Sequence, residues 1–228
     1  MPHTAPKLII FDCDGVLVDS EAISIGIMID IITAAGVTIT EEQAYECFLG
    51  KSVASVNEIL LSEFGLAVTG KHLESASAEL QTRFRRDLKP IPGIVETLKA
   101  LDTRFCVASS SDPDRIRLSL SLTGLLEMLE PHIYSATMVA RGKPAPDLFL
   151  HAARDMGVVP VDCVVIEDSP AGIDAARAAG MRVFAFTGGS HAGNSALVAE
   201  LATRSPDRIF ADMRLLPDLL ADKGKRAS

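Results

Sequence analysis

The stretch Leu8-Ile9-Ile10-Phe11-Asp12-Cys13-Asp14-Gly15 decides the fold class. Its first half is continuously apolar, which indicates a strand that is covered on both faces. Its second half places two carboxylates directly after that strand, followed by a glycine that lets the backbone turn sharply. Three further apolar runs lead into polar residues or a glycine-rich turn in the same way, at residues 105–108, 164–166 and 183–186.

Helix start signals separate these runs. Asp112-Pro113, Pro146-Asp147 and Ser169-Pro170 each fit the cap and first turn of a helix. Strands and helices alternate in this way from residue 88 onward, which predicts an α/β fold with a doubly wound parallel sheet and right-handed crossovers. Ligands bind such a sheet beyond the carboxyl ends of its strands. The polar residues that follow the apolar runs lie there.

The segment from residue 20 to residue 87 breaks the alternation. It carries helical patterns at residues 22–35, 41–49, 53–64 and 72–86, without a convincing strand. The stretch Lys89-Pro90-Ile91-Pro92-Gly93 after it is stiff and is typical of a hinge. The sequence therefore predicts an α/β catalytic core formed by residues 1–19 and 88–228. A small all-α cap domain, residues 20–87, is inserted after the first strand.

Composition narrows the classes of partner and location. The 228 residues are 48% hydrophobic with a net charge of −8, which argues against nucleic acid and against anionic membranes as partners. No apolar run approaches the length that spans a bilayer, and the start lacks a secretion signal, so we expect a cytoplasmic protein, either a monomer or a weak homodimer. The four cysteines show no clustered spacing, which argues for reduced thiols over a zinc site.

Carboxylates follow two of the predicted strands. Asp12 and Asp14 follow the first strand, and Glu167 and Asp168 follow the run at residues 164–166. Mutual repulsion and desolvation would make these carboxylates costly unless a cation offsets the cost. Mg²⁺ prefers carboxylate and carbonyl oxygens together with substrate phosphate. The four residues are therefore predicted to bind Mg²⁺.

The sequence also offers the parts that phosphoryl transfer from a monoester requires. Asp12 can attack phosphorus to form an aspartyl-phosphate. Asp14 can protonate the leaving group and then deprotonate the water that hydrolyses the intermediate. Ser109 can donate to a phosphoryl oxygen, and Lys143 can neutralise charge on the nucleophile and the transferring group. We therefore predict a phosphatase whose partner is a small phosphorylated metabolite.

Four short motifs resemble, in order and spacing, those of the haloacid dehalogenase (HAD) superfamily. They are Asp12-Cys13-Asp14-Gly15, Ser109, Lys143 and Glu167-Asp168. The resemblance covers nearly the whole chain and is closest to the β-phosphoglucomutase-like subgroup with a helical cap; the opening of the chain is similar to 6-phosphogluconate phosphatases. It implies a HAD-like Rossmannoid core in which Asp12 is nucleophile and metal ligand. It also implies that Asp14 binds the metal through its backbone carbonyl, that Asp168 binds it directly, and that Glu167 lies close by.

Departures from the subgroup's pattern bear on the reaction. Asp14 favours phosphate chemistry over carbon–halogen cleavage, because the dehalogenases lack this second carboxylate. The segment Asp19-Ser20-Glu21-Ala22-Ile23-Ser24 lacks the His of many relatives, and Val53 stands near the position of a mutase Arg. Hydrolysis of a sugar phosphate is therefore the leading hypothesis. A phosphosugar mutase of the β-phosphoglucomutase type is the alternative, and a phospho-acceptor receiver module, which needs no cap, is a third.

Substrate contacts are less clearly marked. Lys51 on the predicted cap turn is the preferred substrate contact, and Ser110 and Ser111 are expected to line the site. Capping of the next helix is the other reading of the serine run. Three histidines have no partner that the sequence can place, and ordinary surface or packing roles are expected for them. They are His132, His151 and His191.

Overall fold

A parallel β-sheet forms the centre of the molecule. The computed structural model describes residues 5–48, 53–67, 69–193 and 195–221, and within them six strands form this sheet. The strands are β1 (Leu8–Phe11), β2 (Arg104–Ser109), β3 (Ile133–Ser135), β4 (Cys163–Glu167), β5 (Arg182–Phe186) and β6 (Arg208–Phe210). Their order is β3-β2-β1-β4-β5-β6, and all pairs are parallel. The predicted doubly wound sheet is confirmed.

Helices flank the sheet and fill the segment between its first two strands. They are α1 (Glu21–Ala34), α2 (Glu41–Phe48), α3 (Val53–Phe64), α4 (Gly70–Asp87), α5 (Ile94–Ala100), α6 (Pro113–Leu122), α7 (Leu126–Leu129), α8 (Asp147–Asp155), α9 (Pro170–Ala178), α10 (Ser195–Thr203) and α11 (Leu216–Ala221). In the described part of the chain, no helix combines the length and apolar character needed to cross a bilayer.

Two of the helix starts follow the cap chemistry that the sequence indicates. The Asp112 side chain accepts from the backbone N–H groups of Asp114 (3.1 Å) and Arg115 (3.0 Å) at the start of α6. Ser169 Oγ accepts from the N–H of Gly172 at 3.0 Å at the start of α9. Each bond satisfies donors that a first helical turn leaves unpaired. These caps fix where each helix begins after its strand.

Both faces of the sheet are buried, which accounts for the continuous apolar runs. Ile9 and Phe11 of β1 point into a cluster formed with α5, α6 and α11. Leu8 and Ile10 point into a second cluster on the other face, formed with α8, α9 and α10. All four side chains are 0% exposed. Burial on both sides contributes about 1.5–3 kcal/mol per large aliphatic side chain, so this strand is strongly held.

The helices α1 to α4 fill most of the segment between β1 and β2. Apolar side chains of α1, α2, α3 and the loops beside them pack into a third cluster of buried residues, which contains Ile25, Ile32, Ile39, Ala44, Phe48 and Leu60. The backbone leaves and re-enters the core through paired segments, since Asp19 N donates to Lys89 O (2.9 Å) and Ile91 N donates to Leu17 O (3.0 Å). The two ends of this helical segment are therefore adjacent.

Candidate active site

The carboxyl end of β1 lies where the strand order reverses. Phe11 pairs with Val107 of β2 on one side and with Ile166 of β4 on the other. Strands β2 and β3 lie on one side of β1, and strands β4, β5 and β6 lie on the other side. Ligand sites of open α/β sheets lie at the position where the strand order reverses in this way. The N–H of Asp12 donates to Ile166 O at 3.0 Å, which fixes the backbone from which its side chain projects.

Lys143 connects two of the predicted site carboxylates. Its Nζ lies 2.5 Å from Asp12 Oδ1 and 2.6 Å from Glu167 Oε1, and it also donates to Ala108 O at 3.0 Å. The side chain is only 4% exposed. Burial alone would lower the pKa of Lys143, but the Asp12 and Glu167 carboxylates raise it above its ordinary value. Lys143 therefore carries its positive charge in this site.

Three buried carboxylates form a cluster with the composition of a metal site. One ligand atom from each of Asp12, Glu167 and Asp168 lies within 4.8 Å of the others. Burial raises the pKa of Asp12 well above its ordinary value; Lys143 opposes the rise, while Glu167 and Asp168 add to it. Burial also raises the pKa of Asp168. An excess of buried negative charge is costly, and this set of oxygen donors suits a hard divalent cation such as Mg²⁺.

The Asp14 side chain faces hydroxyl groups and an arginine instead of this cluster. Its Oδ1 accepts from Ser20 Oγ at 2.7 Å and from Arg115 Nη2 at 3.1 Å, and its Oδ2 accepts from Ser111 Oγ at 2.7 Å. Burial alone would raise the pKa of Asp14, but Arg115 and the two hydroxyl donors lower it. These contacts favour the ionised form of the Asp14 carboxylate.

Arg115 is a site residue that the sequence analysis missed. It lies in the first turn of α6 and contacts two helices of the segment between β1 and β2. Its Nη2 donates to Ser24 Oγ of α1 at 3.3 Å, and its guanidinium carbon lies 5.4 Å from the centre of the Phe84 ring in α4. The sequence feature that could have indicated Arg115 is its position in the first turn of α6, which begins soon after the end of β2. Arg115 thus links Asp14 to the inserted helices.

The serines after β2 occupy different environments. Ser109 is buried, and its Oγ accepts from the N–H of Ser111 at 3.1 Å. Ser110 is exposed, whereas Ser111 uses its hydroxyl on Asp14. Asp112 is the N-cap residue of α6, so the three serines do not cap this helix. Lys51, the preferred substrate contact, lies outside the described residues.

Glu167 is held at both of its carboxylate oxygens. Oε1 faces Lys143, while Oε2 accepts from the N–H groups of Asp168 (3.0 Å) and Ser169 (3.0 Å) and from Ser169 Oγ (2.9 Å). Gly172 in α9 leaves the space that this carboxylate fills, because a Cβ atom there would overlap the Glu167 carboxyl group. Position 172 therefore has to be glycine for Glu167 to keep these contacts.

Replacing Gly172 with Ala is expected to destabilise the protein by about 1–3 kcal/mol, because overpacking displaces a hydrogen-bonded side chain. The substitution would otherwise stabilise a helix by about 1 kcal/mol. Gly26→Ala in α1 is the matched control, since its Cβ would meet only the flexible end of Arg83 at 3.6 Å. Urea unfolding of both variants measures the difference. Equal stability of the two variants would contradict the tight fit at Gly172.

His191 and Glu21 complete the surroundings of Asp168. His191 is 3% exposed, and its Nε2 lies 3.0 Å from Asp168 Oδ2, so it occupies the site instead of the ordinary surface or packing role expected from the sequence. The sequence feature that could have indicated His191 is the glycine-rich turn after the apolar run at residues 183–186, because this turn follows a strand end. At the start of α1, burial together with the charges of Asp168 and Asp14 raises the pKa of Glu21 to about 8.

Comparisons with known proteins agree with this fold and site. The sequence pattern of haloacid dehalogenase-like hydrolases matches residues 6–180. The chain is 30% identical to 6-phosphogluconate phosphatase of Escherichia coli K12, with 96% of each chain covered. It is 32% identical to β-phosphoglucomutase of Bacillus subtilis 168, over 91% of this chain and 93% of that one.

Among solved structures, a conserved haloacid dehalogenase-like protein of unknown function from Agrobacterium tumefaciens C58 superposes with a TM-score of 0.84 at 40% identity, covering 94% of this chain and 97% of that one. The chain belongs to the haloacid dehalogenase-like hydrolase family. Within that family it is an enzyme of the phosphoric monoester hydrolase class. The family resemblance predicted from the four motifs is confirmed.

Proposed function

We propose that this protein is a Mg²⁺-dependent phosphatase that hydrolyses a small sugar phosphate through an aspartyl-phosphate on Asp12. The observation that carries the proposal is the convergence of Lys143, Glu167 and Asp168 on the Asp12 carboxylate at the switch point of the sheet. Similarity to a 6-phosphogluconate phosphatase over nearly the whole chain supports a phosphorylated sugar derivative as the substrate class.

In the first step, a carboxylate oxygen of Asp12 forms a bond to phosphorus while the bond from phosphorus to the leaving oxygen breaks. The leaving oxygen takes a proton from Asp14. Lys143 offsets negative charge on the nucleophile and on the transferring group, and Ser109 donates to a phosphoryl oxygen. The products of this step are the free alcohol and phosphorylated Asp12, with Asp14 now ionised.

In the second step, water attacks the same phosphorus atom and Asp14 takes a proton from that water. The bond between phosphorus and Asp12 breaks, which releases inorganic phosphate and restores both aspartates. The contacts of Asp14 with Ser20, Ser111 and Arg115 favour its ionised form, which suits this step. The first step needs protonated Asp14, so we propose that substrate binding loosens these contacts.

The cation would be held by the carboxylates of Asp12 and Asp168 and the backbone carbonyl of Asp14, with Glu167 beside them. When bound, Mg²⁺ would reduce the repulsion between an anionic nucleophile and an anionic phosphate and would polarise a phosphoryl oxygen. The raised pKa of buried Asp12 supports this assignment, because the ionised nucleophile needs more positive charge than Lys143 alone supplies.

We propose that residues 20–87 form a cap domain that covers the site during turnover. The separate apolar cluster of α1, α2 and α3 and the adjacent ends of the segment support this role. Closure over the carboxylates would exclude bulk water and bring cap residues such as Lys51 to the substrate. Substrate contact by Ser110 and Ser111, a cytoplasmic location and a monomer or weak homodimer remain predictions from the sequence.

The purified chain is expected to release inorganic phosphate from p-nitrophenyl phosphate and from a subset of sugar phosphates when Mg²⁺ is present. Chelation of divalent cations with EDTA should abolish the release, and added Mg²⁺ should restore it. Phosphate release measured across a panel of metabolites, with and without chelator, tests both statements. Activity that survives complete removal of metal would refute the mechanism.

Product analysis in the same panel separates hydrolysis from a mutase reaction. The similarity to β-phosphoglucomutase makes this comparison necessary. A hydrolase converts a hexose 1-phosphate into free sugar and inorganic phosphate in equal amounts. Formation of the 6-phosphate isomer without net release of phosphate would instead establish the mutase.

A further inference from the structure

The turn after β5 brings a histidine into the carboxylate cluster. His191 lies in the short 3-10 turn Ser190–Gly193 and is 3% exposed. Its Nε2 lies 3.0 Å from Asp168 Oδ2 as an ion-pair contact, and neither ring nitrogen has a directed hydrogen bond among the described residues. The match to the family's sequence pattern ends at residue 180, so this histidine lies outside the part of the chain that the family pattern covers.

Asp168 depends on His191 in a way that the other two carboxylates do not. Glu167 is held by Lys143 and by three donors at the start of α9, and Asp12 is held by Lys143. Within the described residues, the contact with His191 is the one side-chain pairing that the Asp168 carboxylate makes. Because no second side chain pairs with Asp168 among the described residues, the position of the imidazole ring determines the orientation of this carboxylate.

The ring itself is closely confined. A Cβ atom at Gly15 would overlap the Asp168 carboxylate and lie 3.0 Å from His191 Cε1, and a Cβ atom at Gly189 would lie 2.5 Å from the same ring atom. The turn is also tied to the start of the helical segment, because Asp19 Oδ1 accepts from the N–H (3.0 Å) and the hydroxyl (2.8 Å) of Ser190. The imidazole is therefore held by glycines on two loops and by a tether to Asp19.

We propose that His191 is a positioning residue whose Nε2 pairs with Asp168 Oδ2 and so fixes that carboxylate for binding the divalent cation. The inference rests on the cation site of the proposed function. The cluster of ligand atoms within 4.8 Å contains Asp12, Glu167 and Asp168, which supports an indirect role for His191 in place of direct ligation. Partners of this kind orient metal ligands, and their loss typically weakens metal binding by about 10- to 100-fold.

The test compares two substitutions that fill a similar volume but differ in their ability to donate. His191→Leu removes the donor, whereas His191→Gln retains an amide N–H. Isothermal titration calorimetry of Mn²⁺ into the metal-free full chain measures affinity without reference to turnover. We expect the Leu variant to bind Mn²⁺ about 10- to 100-fold more weakly, and the Gln variant to recover most of the loss. His132→Leu, at an exposed position, is the control and should bind like the wild type.

Unchanged affinity in the Leu variant, or equal losses in the Leu and Gln variants, would overturn the positioning role while leaving the cation site of the wild type intact. Failure of the wild type itself to bind Mn²⁺ or Mg²⁺ would overturn both this inference and the metal dependence of the proposed function.

A second measurement on the wild type covers the case in which the variants do not fold. In the chain labelled with ¹⁵N-histidine, the Nε2–H resonance of His191 should be protected from exchange with water and should shift when Mg²⁺ is added. A set of histidine resonances that does not respond to Mg²⁺ would contradict the inference.

Discussion

Replacing Asp12 with Asn is expected to reduce turnover of p-nitrophenyl phosphate by about 10⁴-fold or more, because the amide cannot act as the nucleophile. The fold should survive, since Asn has nearly the same shape and removes one negative charge from a cluster with excess buried carboxylate. Steady-state kinetics measure the loss, and thermal unfolding checks that the variant is folded. Acid quenching should trap phosphate on the wild type and none on the variant.

Two matched variants sharpen this experiment. Asp14→Asn retains the nucleophile but loses the base that activates water, so phosphorylated protein should accumulate from a substrate with a good leaving group. Asp102→Asn changes an exposed aspartate and should behave as the wild type in both assays. Trapped phosphate on the Asp12→Asn variant would show that another residue is phosphorylated, which would end the assignment of Asp12 as nucleophile.

Replacing Lys143 with Met is expected to affect both turnover and stability. Removal of its ammonium group leaves the carboxylates of Asp12 and Glu167 buried without their shared partner. Breaking a buried pair by removing one member costs about 3–5 kcal/mol. Turnover should fall by about 10²- to 10³-fold or more, as when one donor to developing charge is lost. Urea unfolding in EDTA and steady-state kinetics measure the two effects.

The stability loss in the Lys143→Met variant should shrink when Mg²⁺ is added, because a bound cation would supply part of the missing positive charge. Lys99→Met removes an exposed lysine and should change stability by no more than about 0.5 kcal/mol. Lys143→Arg keeps the charge with a different shape, so it should be more stable than the Met variant while remaining impaired in turnover. Wild-type turnover by the Met variant would contradict the role of Lys143.

The central strands could be predicted from the sequence because burial on both faces leaves a continuous apolar run. The residues of β1 are 0% exposed, and their run matches the strand from end to end. The edge strands β3 and β6 were missed because each has only three residues, too few for a periodic pattern. In β6, Arg208 and Ile209 are exposed, so this strand also lacks the continuous apolar run that marks the central strands.

The main site residues were also predictable from their places after strands. Asp12 follows β1, and Glu167 ends β4, so a parallel sheet brings both to one edge. Arg115 and His191 were not predictable in this way, because their contacts depend on the paths of distant segments. The turn that carries His191 is tied to Asp19 across 171 residues of sequence. The glycine-rich turn after β5 marks the segment in the sequence, but nothing in the sequence shows which distant residues the turn contacts.

Backbone hydrogen bonds hold the two ends of the helical segment together. Asp19 N donates to Lys89 O, and Ile91 N donates to Leu17 O, so the two ends of the helical segment lie side by side where they leave the core. The entropy of closing such a loop grows only with the logarithm of its length. Changes of length in the part of this segment that lies away from Ser20, Ser24 and Phe84 therefore leave the contacts of Asp14 and Arg115 in place, so the segment can vary while the carboxylates after β1 keep their positions.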